Sequence, residues 1–164
     1  MMIERLLKIL MTGGLALLCA LITIGNIHDP ASNLSFVRHV LSMDTIAPTS
    51  AMEDHAMRIP PFWQIAFWSI VAAEGLTTVF FAWGTGELLR ARTYKARAFH
   101  QAKRFVYAGA GCAFLIWFVG FSAVGGEWFA MWQSPVWNGQ EAAFRMFASI
   151  LLVSIFIAQP DCEL

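Results

Sequence analysis

The sequence predicts an all-α protein, a four-helix transmembrane bundle with both termini cytoplasmic and a short interfacial helix in the first outer loop. Three observations carry this expectation. Hydrophobic residues make up 58% of the chain and charged ones 13%, against about 25% charged in ordinary soluble domains. Four mostly apolar runs, at about 6–24, 62–83, 105–124 and 142–158, come close to the ~20 residues that cross a hydrocarbon core at 1.5 Å per residue. Lysine and arginine concentrate in alternate connectors, which sets an orientation because cationic segments resist translocation.

The first run follows Arg5 and Lys8 and continues to about Ile24 with no small-x-small cleavage pattern, so it reads as a retained helix and not a cleaved signal. The connector after it, Asn26 to Pro60, holds Arg38 and Arg58 against four acids and should face outward. Within it Asn33 is placed to cap a short helix whose apolar face is Phe36, Val37, Val40 and Leu41. Pro60-Pro61 suits the first turn of the second helix. The next connector carries Arg90, Arg92, Lys95, Arg97, Lys103 and Arg104; it belongs in the cytoplasm, with its cations on lipid phosphates and no nucleic-acid role expected. The fourth helix then returns the tail DCEL to the same side. With no linker and no internal repeat, residues 1–164 read as a single integral membrane domain.

The connector between helices three and four has no basic residue. Its stretch GGEWFAMWQSPVWNGQ places Trp128, Trp132 and Trp137 where indoles keep their rings among headgroups and their N–H near water. Trp63 and Trp83 fit the two aromatic belts in the same way. Cys19 and Cys112 fall in helices and Cys162 in the tail, so no pair is available for an outer disulfide, and no cysteine spacing suggests zinc or iron-sulfur ligation.

The segments NLSFVRHVLSMDT and GGEWFAMWQSPVWNGQEAAFR resemble the two hallmark segments of DUF2165, a prokaryotic family of predicted small integral membrane proteins. The positions that carry the resemblance are Asn33, His39, Asp44, Glu127, Trp128, Trp132, Trp137, Asn138, Gly139 and Arg145. It implies four transmembrane helices in a bacterial inner (plasma) membrane, and no activity, substrate or cofactor.

Glu74 is the residue most suggestive of chemistry. It sits near the middle of the second helix, where an acid costs a few kcal/mol unless it faces protein, water or a partner. Arg145 is expected about one turn into the fourth helix, with Glu127 or Glu141 as the easier ion-pair partner and Glu74 the harder one. The outward connectors gather His28, Asp29, His39, Asp44, Glu53, Asp54 and His55, but none of the spacings of a metal site occurs, and Asp44 with Thr45 reads as a local cap or turn. His28, His39, His55 and His100 all fall in or beside connectors, so no integral haem is expected, and no catalytic constellation is identifiable. No cofactor is expected either.

Two functions compete on this basis. The favoured one is a non-catalytic accessory or scaffold subunit of a larger membrane-protein complex, or a homo-oligomer, with the tryptophan loop as its recognition platform. The alternative is an oligomeric transporter or binding protein for a small amphipathic ligand, a quinone or lipid, held beneath that loop with Glu74 below.

Overall fold

A computed structural model of the chain describes residues 2–47 and 50–162, so the last two residues of the tail DCEL lie outside the described residues. The helices are α1 (Met2–His28), α2 (Pro30–Ser42), α3 (Pro60–Ala91), α4 (Ala96–Ala102), α5 (Arg104–Ala113) and α6 (Gln140–Ala158), with short 3₁₀ turns at Ala51–His55 and Met131–Gln133. From Phe114 to Trp128 the α5 backbone widens into a π-helix. Four passages are long and apolar enough to cross a membrane: α1, α3, the near-continuous Ala96–Trp128, and α6. The protein is all-α and a multi-pass integral membrane protein.

Its helices are sorted by lipid and not by water. On α1 the inward face carries Arg5, Lys8, Ile9, Thr12, Leu15 and Cys19, while Ile3, Leu10, Leu17, Leu21 and Ile24 point outward. An apolar exterior costs nothing in hydrocarbon, so the positions where helices meet are free to be polar or small. Gly13 lies 3.6 Å from the Thr85 methyl and Gly75 3.7 Å from the Thr23 methyl, measured from where a Cβ would stand. These contacts set α1 antiparallel to α3. Across the other face of α3, Gly84 abuts Val106 and Gly109 abuts the Phe81 ring, which brings α3 and α5 into close approach.

The break between α1 and α2 has a local cause. Asp29 accepts a hydrogen bond from the Ser32 backbone N–H, Pro30 opens α2, and the Asn33 side chain donates to the Asp29 carbonyl. The N-cap of this helix is therefore Asp29, because Pro30 starts the helix four residues earlier than expected and leaves Asn33 inside it. Beyond the break α2 runs beside the first half of α3. Leu41 accepts from the Met57 N–H, Arg38 stacks over Trp63, and Val37 packs with Phe67 and Val71.

That arrangement changes the depth of Glu74. Although central in α3, it meets Asn26, two residues short of the end of α1, or about 3 Å at the helical rise. The half of α3 before Glu74 pairs with α2, so the middle of the helix is not the middle of the bundle. At the opposite end the first turns of α1 meet the segment after α6, as Arg5 donates to the Cys162 carbonyl. The two ends are called here the loop end and the tail end.

Candidate functional site

The loop end is built by two connectors closing on each other. Trp137 stacks on His39 with ring centroids 4.5 Å apart and planes within 12°, and His39 Nδ1 lies 2.8 Å from the Asp44 carboxylate. Phe36 stacks with Phe121 and meets Trp137 edge-on. The Thr45 and Ser134 hydroxyls are 2.8 Å apart, and Ser134 Oγ also accepts from the Trp137 N–H. Nearer the other rim, His55 stacks on Trp128 at 4.1 Å with its Nδ1 3.0 Å from the Trp128 carbonyl. Met43 and Ala130, both in the left-handed region at φ 53° and 49°, are buried in one apolar cluster with Phe129. Left-handed backbone is uncommon for residues other than glycine and persists where surrounding contacts hold it.

The glycines of GGEW are helical and not loop. The π-helix carries the third passage four residues past the expected end, so the true loop is Phe129 to Gly139. Its five-residue hydrogen-bond period is seen in the Phe129 N–H to Val124 carbonyl bond, 3.0 Å, and in Ser122 Oγ bonding the Trp117 carbonyl. Gly126 leaves room for the Gln140 side chain, and Gly139 for Phe36.

Beneath this head two adjoining spaces open between α2, α3, the π-helix and α6. The first, about 240 Å³, has Asn26, Asn33 and Glu74 on its wall with Phe36, Trp117 and Phe121. The second, about 190 Å³, is walled by apolar side chains and glycine, among them Val40, Leu41, Val124, Phe129 and Met131. Phe36, Val37, Ile70 and Phe121 line both, so they form one cleft with a polar end and an apolar end. Glu74 is 3% exposed, and its Oε2 accepts from Asn26 Nδ2 at 2.6 Å.

The structure gathers some of the expected residues and separates others. Glu74 and Asn33 share the cleft, while His39, Asp44 and Trp137 form one chain of contacts above it. Asp44 and Thr45 stand in the turn that follows α2, as expected, but their side chains bond His39 and Ser134 and cap no helix. Asn138, one residue before the Gly139 N-cap of α6, accepts from the Gln140 N–H in a local turn. Trp132 is 56% exposed and Trp128 equally so. Arg145 and Glu127 are exposed, and neither forms an ion pair among the described residues. The expected pairing of Arg145 with an outer acid is therefore corrected; Glu127 ends the π-helix with its side chain outward. Among the described residues no group of three His, Cys, Asp or Glu is placed to hold a metal.

Sequence reasoning missed Asn26, whose place four residues before Pro30 gave no sign of a tertiary partner. It also missed the tail end. Lys8 and Lys103, both fully buried, hold the Asp161 carboxylate at 2.7 and 2.5 Å and both donate to the Gln159 carbonyl. Arg5 donates to the carbonyls of Arg92, Tyr94 and Cys162. Three cations expected to face lipid phosphates or water thus face protein. Burial works to raise the Asp161 pKa, but the hydrogen bonds from Lys103 and Lys8 outweigh it and hold the carboxyl below the usual range. At the loop end, hydrogen bonds from Ser32 hold the Asp29 carboxyl low in the same way.

Head and cleft respond differently to tryptophan removal. Trp137→Ala takes away a half-buried ring and both of its aromatic contacts, and is expected to cost roughly 2 kcal/mol. Trp132→Ala removes an exposed ring and should stay within about 0.5 kcal/mol. Thermal unfolding of the two variants in the same detergent checks the difference; equal losses would mean that the His39 stack holds nothing.

These features define a four-passage integral membrane protein with a cleft at one end and a buried ionic cluster at the other. The chain belongs to the DUF2165 family, described as predicted small integral membrane proteins, whose model matches residues 4–160. No curated protein and no solved structure matches it.

Proposed function

We propose that the protein is a non-catalytic binding protein of the bacterial inner membrane, with its tail end in the cytoplasm, and that it holds a small amphipathic ligand in the loop-end cleft. The observation that carries this is the cleft itself. A 3% exposed acidic side chain on the wall of a space that it shares with Asn26 and Asn33, and that is otherwise lined by apolar residues, is costly unless something compensates it. Each space alone is below the roughly 300–1,000 Å³ typical of a drug-sized ligand, which suits one small molecule spanning both. Native mass spectrometry of protein extracted in mild detergent tests the reading. A bound small molecule at one per chain, lost on Ala142→Phe at the wall of the cleft, is the expected result; an empty wild-type protein would sink it.

A second reading rests on a different surface. Trp128, Trp132 and Val136 are exposed at the loop end, Val136 by 71%, and aromatic anchors of this kind are typical of recognition surfaces. As an accessory or scaffold subunit of a larger complex or homo-oligomer, the protein would retain a stoichiometric partner that Trp132→Ala releases. Recovery of the single chain under the same extraction removes this reading.

A further inference from the structure

We infer that the ligand of the loop-end cleft is a hydrophobic ammonium ion, its cationic head beside Glu74 and its apolar chain among Val40, Leu41, Val124 and Met131. This rests on the reading of the cleft as a ligand site and adds the ligand's chemical class.

Charge is the first reason. Among the described residues lining the two spaces, Glu74 is the one acidic side chain, and no lysine, arginine or histidine is among them. A phosphate or carboxylate head would enter next to an anion with no cation to receive it. Buried charges persist when paired, and charge-assisted hydrogen bonds are about twice as strong as neutral ones.

Hydrogen-bonding capacity is the second. Asn26 spends one amide N–H on Glu74 Oε2, and Asn33 spends one on the Asp29 carbonyl at 2.9 Å. At most one N–H remains on each amide, and the Trp117 indole adds at most one more, against two lone pairs on each free oxygen. Against these stand the two amide oxygens and Glu74 Oε1, all acceptors with no hydrogen bond among the described residues. The site is short of donors, and an ammonium head brings up to three. A quinone or ester would bring only more acceptors.

The third reason is the wall. Phe36, Phe121 and Trp117 surround the same space as the carboxylate, and ring faces attract a desolvated cation. From there the cleft continues into the space lined by Val124, Phe129 and Met131, which offers no polar side chain. One end thus fits a cation and the other an alkyl chain.

Three matched probes test this on the full chain in a neutral maltoside detergent: octylammonium, 1-octanol and octanoate. Octylammonium is expected to bind saturably, one per chain, at least tenfold tighter than the other two. Glu74→Gln should weaken octylammonium at least tenfold and leave octanol unchanged; if that variant does not fold, the wild-type ranking decides alone. Adding phosphatidylethanolamine distinguishes the source. Displacement of octylammonium assigns the ammonium to a lipid headgroup, and no displacement assigns it to a free amine; both support the inference. Octanol, octanoate or a short-chain benzoquinone binding as tightly as octylammonium, and excluded by Ala142→Phe, would overturn the ammonium while leaving the cleft a ligand site. No saturable binding of any probe, or binding indifferent to Ala142→Phe, overturns both.

Discussion

Asp161→Ala is expected to be the most damaging single change in the protein, costing roughly 3–5 kcal/mol, because it strands the buried Lys103 ammonium and weakens the pairing of Lys8. Lys8 and Lys103 are fully buried, the Asp161 side chain is 1% exposed, and the carboxylate lies between them. Lys8 keeps Glu4 at 3.1 Å, but among the described residues Lys103 keeps only the Gln159 carbonyl and the distant Phe99 ring. The consequence reaches beyond the pair, because Arg5, Lys8 and Lys103 tie α1, the start of α5 and the tail into one unit. Thermal unfolding in detergent should show a drop on the order of 10 °C. Adding Lys103→Met to Asp161→Ala should recover much of it, since an apolar replacement of a buried pair is often neutral. A loss below about 1 kcal/mol in the single variant would place the tail in water. The same cluster predicts acid sensitivity. The Asp161 carboxyl is held below its ordinary value, so the unfolded chain takes up its proton first. Its contribution is complete above about pH 4, the ordinary carboxyl value, and is lost as the pH falls through the lower folded value. Asp161→Asn should flatten that acid limb.

Gly84→Leu should separate α3 from α5 and cost roughly 3 kcal/mol, at the upper end of what overpacking does. A Cβ at this position would stand 2.9 Å from a Val106 methyl and 3.1 Å from the Val106 backbone nitrogen. The methyl is able to turn away, but the backbone is not. Two residues along, Gly86 has nothing within 4 Å of its Cβ position. Gly86→Leu is therefore the control, neutral or slightly stabilising because leucine is the better helix former. Melting temperatures of the two variants separate a packing glycine from one that only faces outward. Equal behaviour would show that the helices do not approach as closely as the structure has them.

The elements were largely legible in the amino-acid order. Four long apolar runs can only be helices in lipid, where every backbone polar group must be satisfied within its own segment or by a close neighbour. The short helix in the first connector announced itself through the spacing of Phe36, Val37, Val40 and Leu41. Boundaries were less legible. The GGEW glycines read as loop, because glycine weakens an ordinary helix, whereas the widened backbone takes them into the third passage.

Residues at the candidate site divided along the same line. Glu74 stood out from sequence because a lone acid in an apolar run is conspicuous. The company it keeps was invisible, since Asn26 and Asn33 lie far from it in the chain and Asn26 resembles any polar residue at a helix end. Trp128, Trp132 and Trp137 looked alike in one loop; Trp137 is half-buried on His39, Trp128 stacks on His55 yet stays as exposed as Trp132, and Trp132 has no ring partner among the described residues.

By itself, then, the sequence determined the solvent, the number of passages and the family, because hydropathy and run length are sums along the chain and need no partner. Only the tertiary structure decided that the middle of α3 lies at the loop end of the bundle, that Asp161 binds Lys8 and Lys103, and that one carboxylate opens onto a cleft. Each of these depends on the register between helices distant in sequence. That register is set by close contacts such as Gly13 with Thr85 and Gly84 with Val106, which no single run of the chain contains.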